Sequence, residues 1–218
     1  MRFGIIGSGF GIYGWLSALN HFDEIKICTL SSYKEKILNR NDIKDPSTLI
    51  QSITWFDSEE KLYSNINVLV IARRPIDQVE TINYLLDKSW KGNLIIEKPI
   101  APTPELADQI IKRLIEKNIN IQVGFSINET DWSNDVRELI LNKYPREVLI
   151  EWNFLAYHYR YNKFNWKRNP QLGGGALSFY CIHLISWLSS FSEWKVNYSS
   201  KLILENDDPN ILFKLSNG

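Results

Sequence analysis

The chain has 218 residues, with 25 Lys and Arg against 25 Asp and Glu, so its formal net charge is zero. This balance argues against a nucleic-acid clamp or a polybasic membrane binder, since both need a one-sided electrostatic field. Hydrophobic residues form 44% and aromatic residues 13% of the chain, which excludes a disordered protein. We therefore expect one large domain or a domain and a half.

Cysteine and histidine usage gives no sign of disulfides or of a bound metal. Cys28 and Cys181 lie far apart, and no histidine has a cysteine or an acidic cluster beside it. Two stretches, Phe3 to Phe22 and Asn169 to Ser192, lack Asp, Glu, Lys and Arg. Their glycines fit buried elements better than membrane helices. We predict a cytoplasmic protein without metal, membrane or nucleic-acid partners.

Short apolar runs alternate with helical segments through the first half of the chain. Strands are predicted at Arg2 to Gly7, Glu24 to Leu30, Ile53 to Phe56, Asn67 to Ala72, Asn93 to Glu97 and Ile119 to Phe125. Helices are predicted at Gly11 to His21, from Tyr33, at Pro75 to Ser89 and at Thr103 to Asn118. This alternation is typical of βαβ units. It predicts a doubly wound parallel α/β sheet, a Rossmann domain that binds a dinucleotide, over residues 1–124.

The pattern changes in the second half. The predicted elements are a helix at Trp132 to Asn142, a strand at Glu147 to Ala156, a helix at Gly175 to Phe191, and strands at Trp194 to Leu204 and Ile211 to Leu215. They predict an α+β domain over residues 125–218 with an open, mostly antiparallel sheet. Because no flexible linker separates the halves, we expect them to pack closely around a cleft.

A glycine-rich turn, Gly7-Ser8-Gly9-Phe10-Gly11, joins the first strand to the first helix. A dinucleotide pyrophosphate needs glycines there because a Cβ atom would block the close approach of the backbone. A tight structural turn in a flavodoxin-like fold is the alternative.

The acidic residue that usually ends the second strand and binds the adenosine ribose is missing. The strand is followed instead by Ser31, Ser32 and Lys34. Without a carboxylate to repel it, a 2′-phosphate could be held by these hydroxyls and the lysine. The sequence therefore favours NADP over NAD, with lost dinucleotide affinity as the alternative.

Four motifs in a fixed order carry a family resemblance. They are the glycine turn, Glu97-Lys98-Pro99, Val123-Gly124-Phe125, and Gly173-Gly174-Gly175 with His183 on the following helix. From Arg2 to about Leu188 the chain resembles the Gfo/Idh/MocA family of sugar and cyclitol oxidoreductases. The resemblance implies hydride exchange between a sugar-like alcohol and NAD or NADP. It also implies a homo-oligomer built through the C-terminal sheet.

The resemblance assigns the catalytic residues. Lys98 matches the lysine that acts on the substrate hydroxyl proton, and His183 matches a histidine that faces the substrate. The alternatives are a salt bridge between Lys98 and Glu97, and a histidine held in the core. Pro99 would follow a cis peptide bond.

The chain departs from the family pattern around the histidine. A common Asp four residues before it is Phe179, a second three residues after it is Ser186, and a common Gly is Cys181. A frequent histidine after the fourth strand is Gln78. Phe179 and the missing ribose acid raise one alternative, a catalytically impaired protein that binds a nucleotide or sugar as a sensor or scaffold. A further alternative is an enzyme that retains tightly bound cofactor and performs elimination or epimerisation through a transient ketone.

An aromatic loop before the three glycines is predicted to line the cleft. Its rings would stack on a sugar, and Arg160, Lys167 and Arg168 would pair with a carboxylate or phosphate. The predicted substrate residues are Lys98, Tyr157, Asn165, Trp166, Lys167, Phe179 and His183. The predicted cofactor residues are Gly7, Ser8, Gly9, Phe10, Gly11, Ser31, Ser32, Lys34, Ala72, Arg73, Glu97 and Lys98.

We expect an NAD(P)-dependent oxidoreductase acting on a CH–OH group of a sugar, sugar acid or nucleotide sugar. Family members continue past the second C-terminal strand, where this chain would leave an open sheet edge. The chain is therefore expected to be a fragment or to be covered by a partner subunit.

Overall fold

The computed structural model describes residues 1–43, 45–143, 149–152, 157–203 and 209–217. These residues divide into two units, Met1–Gly124 and Phe125–Gly218. No helix in the described ranges combines the length and the apolar character needed to cross a membrane.

The first unit is built on a six-stranded parallel sheet. Its strands are β1 (Arg2–Ile6), β2 (Lys26–Leu30), β3 (Thr54–Phe56), β4 (Val68–Ile71), β5 (Asn93–Ile96) and β6 (Ile121–Val123). They lie in the order β3-β2-β1-β4-β5-β6, and each neighbouring pair is parallel. The predicted parallel α/β sheet is therefore confirmed. The order reverses between β1 and β4, and ligands of such sheets bind at this topological switch point.

Helices connect the strands. The first has a π-type segment, Gly11–Leu16, that continues into α1 (Ser17–Leu19). The others are α2 (Lys34–Leu38), α3 (Pro46–Ser52), α4 (Glu59–Tyr63), α5 (Pro75–Asp87) and α6 (Pro104–Glu116). Two of them begin at a capping side chain followed by proline: Asp45 accepts from the amide of Thr48, and Thr103 from that of Leu106. Neither α3 nor α4 is predicted from the sequence, because each is only one or two turns long.

Apolar side chains cover both faces of the sheet. Successive residues of β4 alternate between two core clusters, with Leu69 and Ile71 in one and Val70 in the other. This alternation explains why the strand sequence is apolar at every position, because each face is packed. A fully buried Leu or Ile contributes about 1.5–3 kcal/mol. The sheet is thus a rigid support for the loops at the carboxyl ends of its strands.

The second unit holds short helices and one strand pair. Its helices are α7 (Asp131–Lys143), α8 (Tyr157–Arg160) and α9 (Ile182–Ser189), with a π-type turn, Ala176–Cys181, leading into α9. Trp187 is buried between α7 and α9, and its Nε1 donates to the carbonyl oxygen of Ser133 at 3.1 Å. Strands β7 (Trp194–Ile203) and β8 (Pro209–Asn217) pair antiparallel.

The predicted strand from Glu147 to Ala156 is not borne out where it can be checked. Residues 149–152 are neither helix nor strand, and the rest of the prediction lies outside the described residues, as does Leu204. Beyond the pairing of β7 with β8, the larger open sheet expected for this domain is not seen among the described residues. Alternating polarity in this stretch predicts a strand, but a strand also needs a neighbour to hydrogen-bond with.

Candidate functional site

The glycine turn follows β1 at the switch point of the sheet. Gly7 has φ +118°, and a Cβ atom there would collide with the carbonyl oxygen of Ala72. The Gly7 amide donates to the Tyr33 hydroxyl at 3.1 Å. Gly11 packs closely on the sheet, since a Cβ there would lie 3.2 Å from Ile5 Cγ2. The fold itself therefore requires glycine at position 7 and a small residue at position 11.

Gly9 differs from Gly7 and Gly11 because none of the described residues crowds it. Apart from its two chain neighbours, no heavy atom of the described residues lies within 4 Å of a Cβ atom added at Gly9. Phe10 beside it is 42% exposed. Packing does not explain a glycine at position 9, whereas close approach of a pyrophosphate to the backbone would. The turn thus offers an open space that a Cβ atom would fill, which is what a bound dinucleotide needs.

The end of β2 carries a contact that the sequence analysis missed. Ser31 Oγ lies within hydrogen-bond distance of two acceptors, the carbonyl oxygen of Phe56 at 3.2 Å and Asp57 Oδ1 at 3.1 Å, which share its single hydrogen. Ser32 and Lys34 are exposed beside it. An acidic residue that follows β3, Asp57, thus lies beside the end of β2. Adjacent parallel strands end at the same edge, so the strand order would have revealed Asp57, but the order is not written in the sequence.

A lysine side chain also lies at the glycine turn. Lys36 Nζ, on α2, donates to Ser8 Oγ at 3.1 Å. The predicted residue Ser8 therefore has a lysine beside it, which suits a turn that would face phosphate groups.

The Glu97-Lys98-Pro99 segment forms a corner directly after β5. Glu97 is 8% exposed, and its Oε1 accepts a 2.8 Å hydrogen bond from Trp15 Nε1. Burial raises the pKa of the Glu97 carboxyl, although the Trp15 hydrogen bond and the charge of Lys98 oppose this. Lys98 is half-buried at the carboxyl end of the strand. The peptide bond between Lys98 and Pro99 is cis, as predicted.

Gln78, on α5, holds this corner in place. Its side chain is fully buried, and Nε2 donates to the carbonyl oxygens of Glu97 and Pro99, both at 2.9 Å. From the sequence, Gln78 is identified only as the residue that stands where the family often has a histidine. Its partners are backbone carbonyls about twenty residues further along the chain, and no side-chain motif marks them.

Ala72 and Arg73 follow β4. The Arg73 guanidinium forms a salt bridge with Glu59 and donates to Thr81 Oγ1 at 3.1 Å. Tyr63 also donates to Glu59, at 2.6 Å. Burial would raise the pKa of the Glu59 carboxyl, but the hydrogen bonds from Arg73 and Tyr63 outweigh it and lower that pKa. The predicted cofactor residue Arg73 is thus engaged in a network of α4 and α5.

In the second unit, the chain folds tightly at the three glycines, so that the ring of Phe179 contacts the turn that holds Trp166. Gly175 has φ +87°, and a Cβ atom at Gly174 would lie 2.7 Å from the carbonyl oxygen of Lys167. With the turn folded this closely, the rings of Trp166 and Phe179 meet edge to face at 5.3 Å. Lys167 Nζ lies 5.3 Å from the centre of the Phe179 ring. Three predicted substrate residues are therefore neighbours.

Further aromatic and basic side chains surround this contact, and we call the group the aromatic–basic cluster. Its members are Tyr157, His158, Lys163, Trp166, Lys167, Arg168, Phe179 and Tyr180. His158 Nδ1 lies 2.8 Å from the Tyr180 hydroxyl, and Lys163 donates to the Tyr157 hydroxyl at 2.6 Å. Burial lowers the pKa of Lys167. Burial, and then the charges of Lys167, Lys163 and Arg168, lower the pKa of His158. Residues 157–192 contain no Asp or Glu.

The remaining predicted residues have structural contacts within the second unit. Asn165 Oδ1 accepts from the amide of Lys167 at 2.9 Å and caps the short turn that holds Trp166. His183, on α9, lies edge to face with Phe125 at 6.2 Å. Ser186, where the family often has an Asp, accepts from Asn128 Nδ2 at 3.1 Å. Within the described part of the chain, no three His, Cys, Asp or Glu side chains are grouped to hold a metal.

A parallel sheet in this strand order, with an open glycine turn at its switch point, defines a dinucleotide-binding Rossmann domain. The profile of the oxidoreductase family with an NAD-binding Rossmann fold matches residues 1–125, more than half of the chain. The chain belongs to the Gfo/Idh/MocA family of NAD(P)-dependent oxidoreductases. Among curated proteins, no sequence matches it significantly.

Solved structures share the fold at low sequence identity. A dehydrogenase from Chromobacterium violaceum has a TM-score of 0.70 and 17% identity, covering 99% of this chain and 62% of its own. GenD2 from gentamicin A biosynthesis, in complex with NAD, has a TM-score of 0.70 and 13% identity, covering 98% and 62%. A super-repressor mutant of Gal80p from Saccharomyces cerevisiae has a TM-score of 0.65 and 18% identity, covering 98% and 61%. The chain thus spans about three fifths of these relatives' length.

Proposed function

We propose that the chain acts as an NAD(P)-dependent oxidoreductase that exchanges a hydride between nicotinamide and a CH–OH carbon of a sugar-like substrate. The observation that carries the proposal is the open backbone at Gly9, which no packing among the described residues explains. When bound, the nicotinamide supplies or accepts the hydride. The protein must then bind the dinucleotide, orient the alcohol and handle its hydroxyl proton.

In this function, Lys98 accepts the proton of the substrate hydroxyl group. Its neighbours on both sides are held: Trp15 binds the Glu97 carboxyl, and Gln78 binds the carbonyls of Glu97 and Pro99. A rigid corner of this kind suits a residue that must meet one substrate atom, because small displacements of a catalytic group are costly. Taking up the proton as hydride leaves carbon turns the alcohol into a ketone. His183 assists this transfer in the proposal, on the strength of the family resemblance alone.

The aromatic–basic cluster favours one part of the predicted substrate range. Trp166 and Phe179 offer apolar ring surface, and Lys167 lies beside them without any acidic residue in the surrounding sequence. This combination suits a ring that carries a carboxylate or phosphate, such as a sugar acid or nucleotide sugar. The proposal also includes self-association through the C-terminal sheet and a cytoplasmic location. Analytical ultracentrifugation tests the first and fluorescent tagging of the full-length protein the second.

The test combines cofactor binding with turnover. NADH and NADPH are titrated by nicotinamide fluorescence into the wild type, Lys98→Ala and the exposed control Lys117→Ala. A panel of sugars and sugar acids is then screened for absorbance of the reduced cofactor. We expect all three proteins to bind, and Lys98→Ala to lose about 10²–10⁴-fold in kcat. Absence of dinucleotide binding would reject the oxidoreductase, and turnover unchanged in Lys98→Ala would reject the role of Lys98.

A second candidate is a ligand-binding sensor or scaffold without turnover. It is favoured by Phe179 and Ser186, which stand where the family often has Asp, and Ser186 is used to hold Asn128. The super-repressor mutant of Gal80p shares the fold. Dinucleotide binding with no turnover across the panel would support this candidate over the enzyme.

A further inference from the structure

The ends of β2 and β3 place an acidic residue where the sequence analysis found none. In the register of these parallel strands, Leu30 lies opposite Phe56. The next residues along each strand, Ser31 and Asp57, therefore leave the sheet side by side. Their contact, 3.1 Å from Ser31 Oγ to Asp57 Oδ1, shows that the two side chains turn toward each other.

This position matters because residues that follow the second strand of a Rossmann sheet meet the adenosine ribose. A carboxylate there accepts hydrogen bonds from the ribose hydroxyls of NAD and repels the 2′-phosphate of NADP. We propose that Asp57, reaching across from β3, takes this role and makes the chain selective for NAD. The proposal rests on the dinucleotide binding proposed above and adds the residue that chooses between the two cofactors.

The state of Asp57 supports this role. The side chain is exposed, and none of the ion pairs among the described residues includes it. Ser31 Oγ lies 3.1 Å from Oδ1 of this carboxylate, and no hydrogen bond among the described residues uses Oδ2, which is therefore open to a ligand. The hydrogen of the Ser31 hydroxyl is in turn directed at acceptors of Phe56 and Asp57, at the end of β3 and just beyond it.

The nearby lysines do not reverse this preference. Lys36 donates to Ser8 in the glycine turn, which both cofactors would approach with the pyrophosphate they share. Lys34 is exposed at the start of α2. A 2′-phosphate would thus gain one solvent-screened lysine and meet one oriented carboxylate. The sequence-based preference for NADP assumed that no carboxylate stood here, and Asp57 removes that assumption.

The experiment measures binding rather than turnover. Dissociation constants of NADH and NADPH are determined by fluorescence titration on the full 218-residue chain. The proteins compared are the wild type, Asp57→Asn, Asp57→Ala and Asp87→Asn. Asp87 is an exposed acid at the end of α5, so its variant controls for the loss of one negative charge.

We expect the wild type to bind NADH at least about tenfold more tightly than NADPH, since a hydrogen bond to a charged group is worth that much or more. In both Asp57 variants this ratio should fall toward one, with weaker NADH and tighter NADPH binding. Asp87→Asn should keep the wild-type ratio. Raising the ionic strength should narrow the wild-type ratio by screening the repulsion.

Three other results would contradict these expected binding ratios. Binding of neither cofactor would overturn the proposed oxidoreductase and with it this inference. Wild-type binding of NADPH equal to or tighter than that of NADH would overturn the inference alone. So would an NADH preference that survives in both Asp57 variants, because another residue would then be the selector. Thermal unfolding of each variant confirms folding, which the exposed position of Asp57 favours.

Discussion

The indole Nε1 of Trp15 donates a 2.8 Å hydrogen bond to Oε1 of Glu97. This bond joins the helix that follows the glycine turn to the end of β5, on the other side of the switch point. Glu97 is buried, and burial raises the pKa of its carboxyl. We therefore expect this connection between the first helix and the end of β5 to depend on pH.

The first prediction concerns that sensitivity. The folded-state pKa of Glu97 lies above its unfolded value, which is near 4.3. Glu97 therefore stabilises the folded state at pH values below the unfolded pKa, where it is protonated. This stabilisation is lost as pH rises through the folded-state pKa. Glu97→Gln keeps an acceptor for Trp15 and carries no charge. We expect the variant to gain stability relative to the wild type as pH rises through this window. Urea unfolding at a series of pH values measures the difference, with the exposed Glu116→Gln as control. A difference that is constant with pH would disprove the prediction.

The second prediction concerns Gln78. Replacing it with Leu leaves two buried carbonyl oxygens, those of Glu97 and Pro99, without their donor. We expect a loss of about 2 kcal/mol in the free energy of unfolding. Gln122→Leu, an exposed change on β6, should alter it by less than about 0.5 kcal/mol. Equal effects of the two substitutions would show that Gln78 does not hold the corner.

A third prediction separates folding from binding within the glycine turn. Gly7→Ala forces a side chain into φ +118° and against the carbonyl of Ala72, so we expect it to cost about 2 kcal/mol or more. The added methyl group of Gly9→Ala would contact none of the described residues beyond its chain neighbours, so the variant should change stability by less than about 0.5 kcal/mol. The same variant should weaken NADH binding by about tenfold or more. Unaltered NADH affinity in Gly9→Ala would remove the main support for a pyrophosphate site.

The fourth prediction concerns the salt bridge between Arg73 and Glu59. A double-mutant cycle with Arg73→Met and Glu59→Gln should give a coupling of about 1 kcal/mol at neutral pH, because both side chains are partly exposed to solvent. The hydrogen bonds that lower the pKa of Glu59 make this contribution present above its unfolded pKa. The coupling should therefore disappear as pH falls through the lowered value. Coupling that persists in acid would point to packing instead of charge.

The parallel sheet could be predicted because its evidence is local. The run from Val68 to Ile71 is apolar at every position, and such a run flanked by helices is typical of a strand packed on both faces. The glycine turn and the cis bond before Pro99 could also be predicted, since each belongs to a contiguous motif.

Asp57 and Gln78 could not be found in the same way. Asp57 matters only because β3 lies beside β2, and the order of strands in a sheet depends on packing between distant segments. Gln78 acts on backbone carbonyls, which every residue carries and no sequence pattern distinguishes. Both are side chains whose partners are chosen by the tertiary fold.

The contrast between Gly7 and Gly9 has a consequence for how variants of this chain are selected. A side chain at position 7 would collide with the carbonyl of Ala72, whereas a side chain at position 9 would face open space. A library sorted only for protease resistance or display level would discard substitutions at position 7 and retain them at position 9. Such a screen would classify position 9 as tolerant of substitution and position 7 as intolerant. Stabilised variants drawn from it would accumulate changes at position 9, where we propose that the dinucleotide binds.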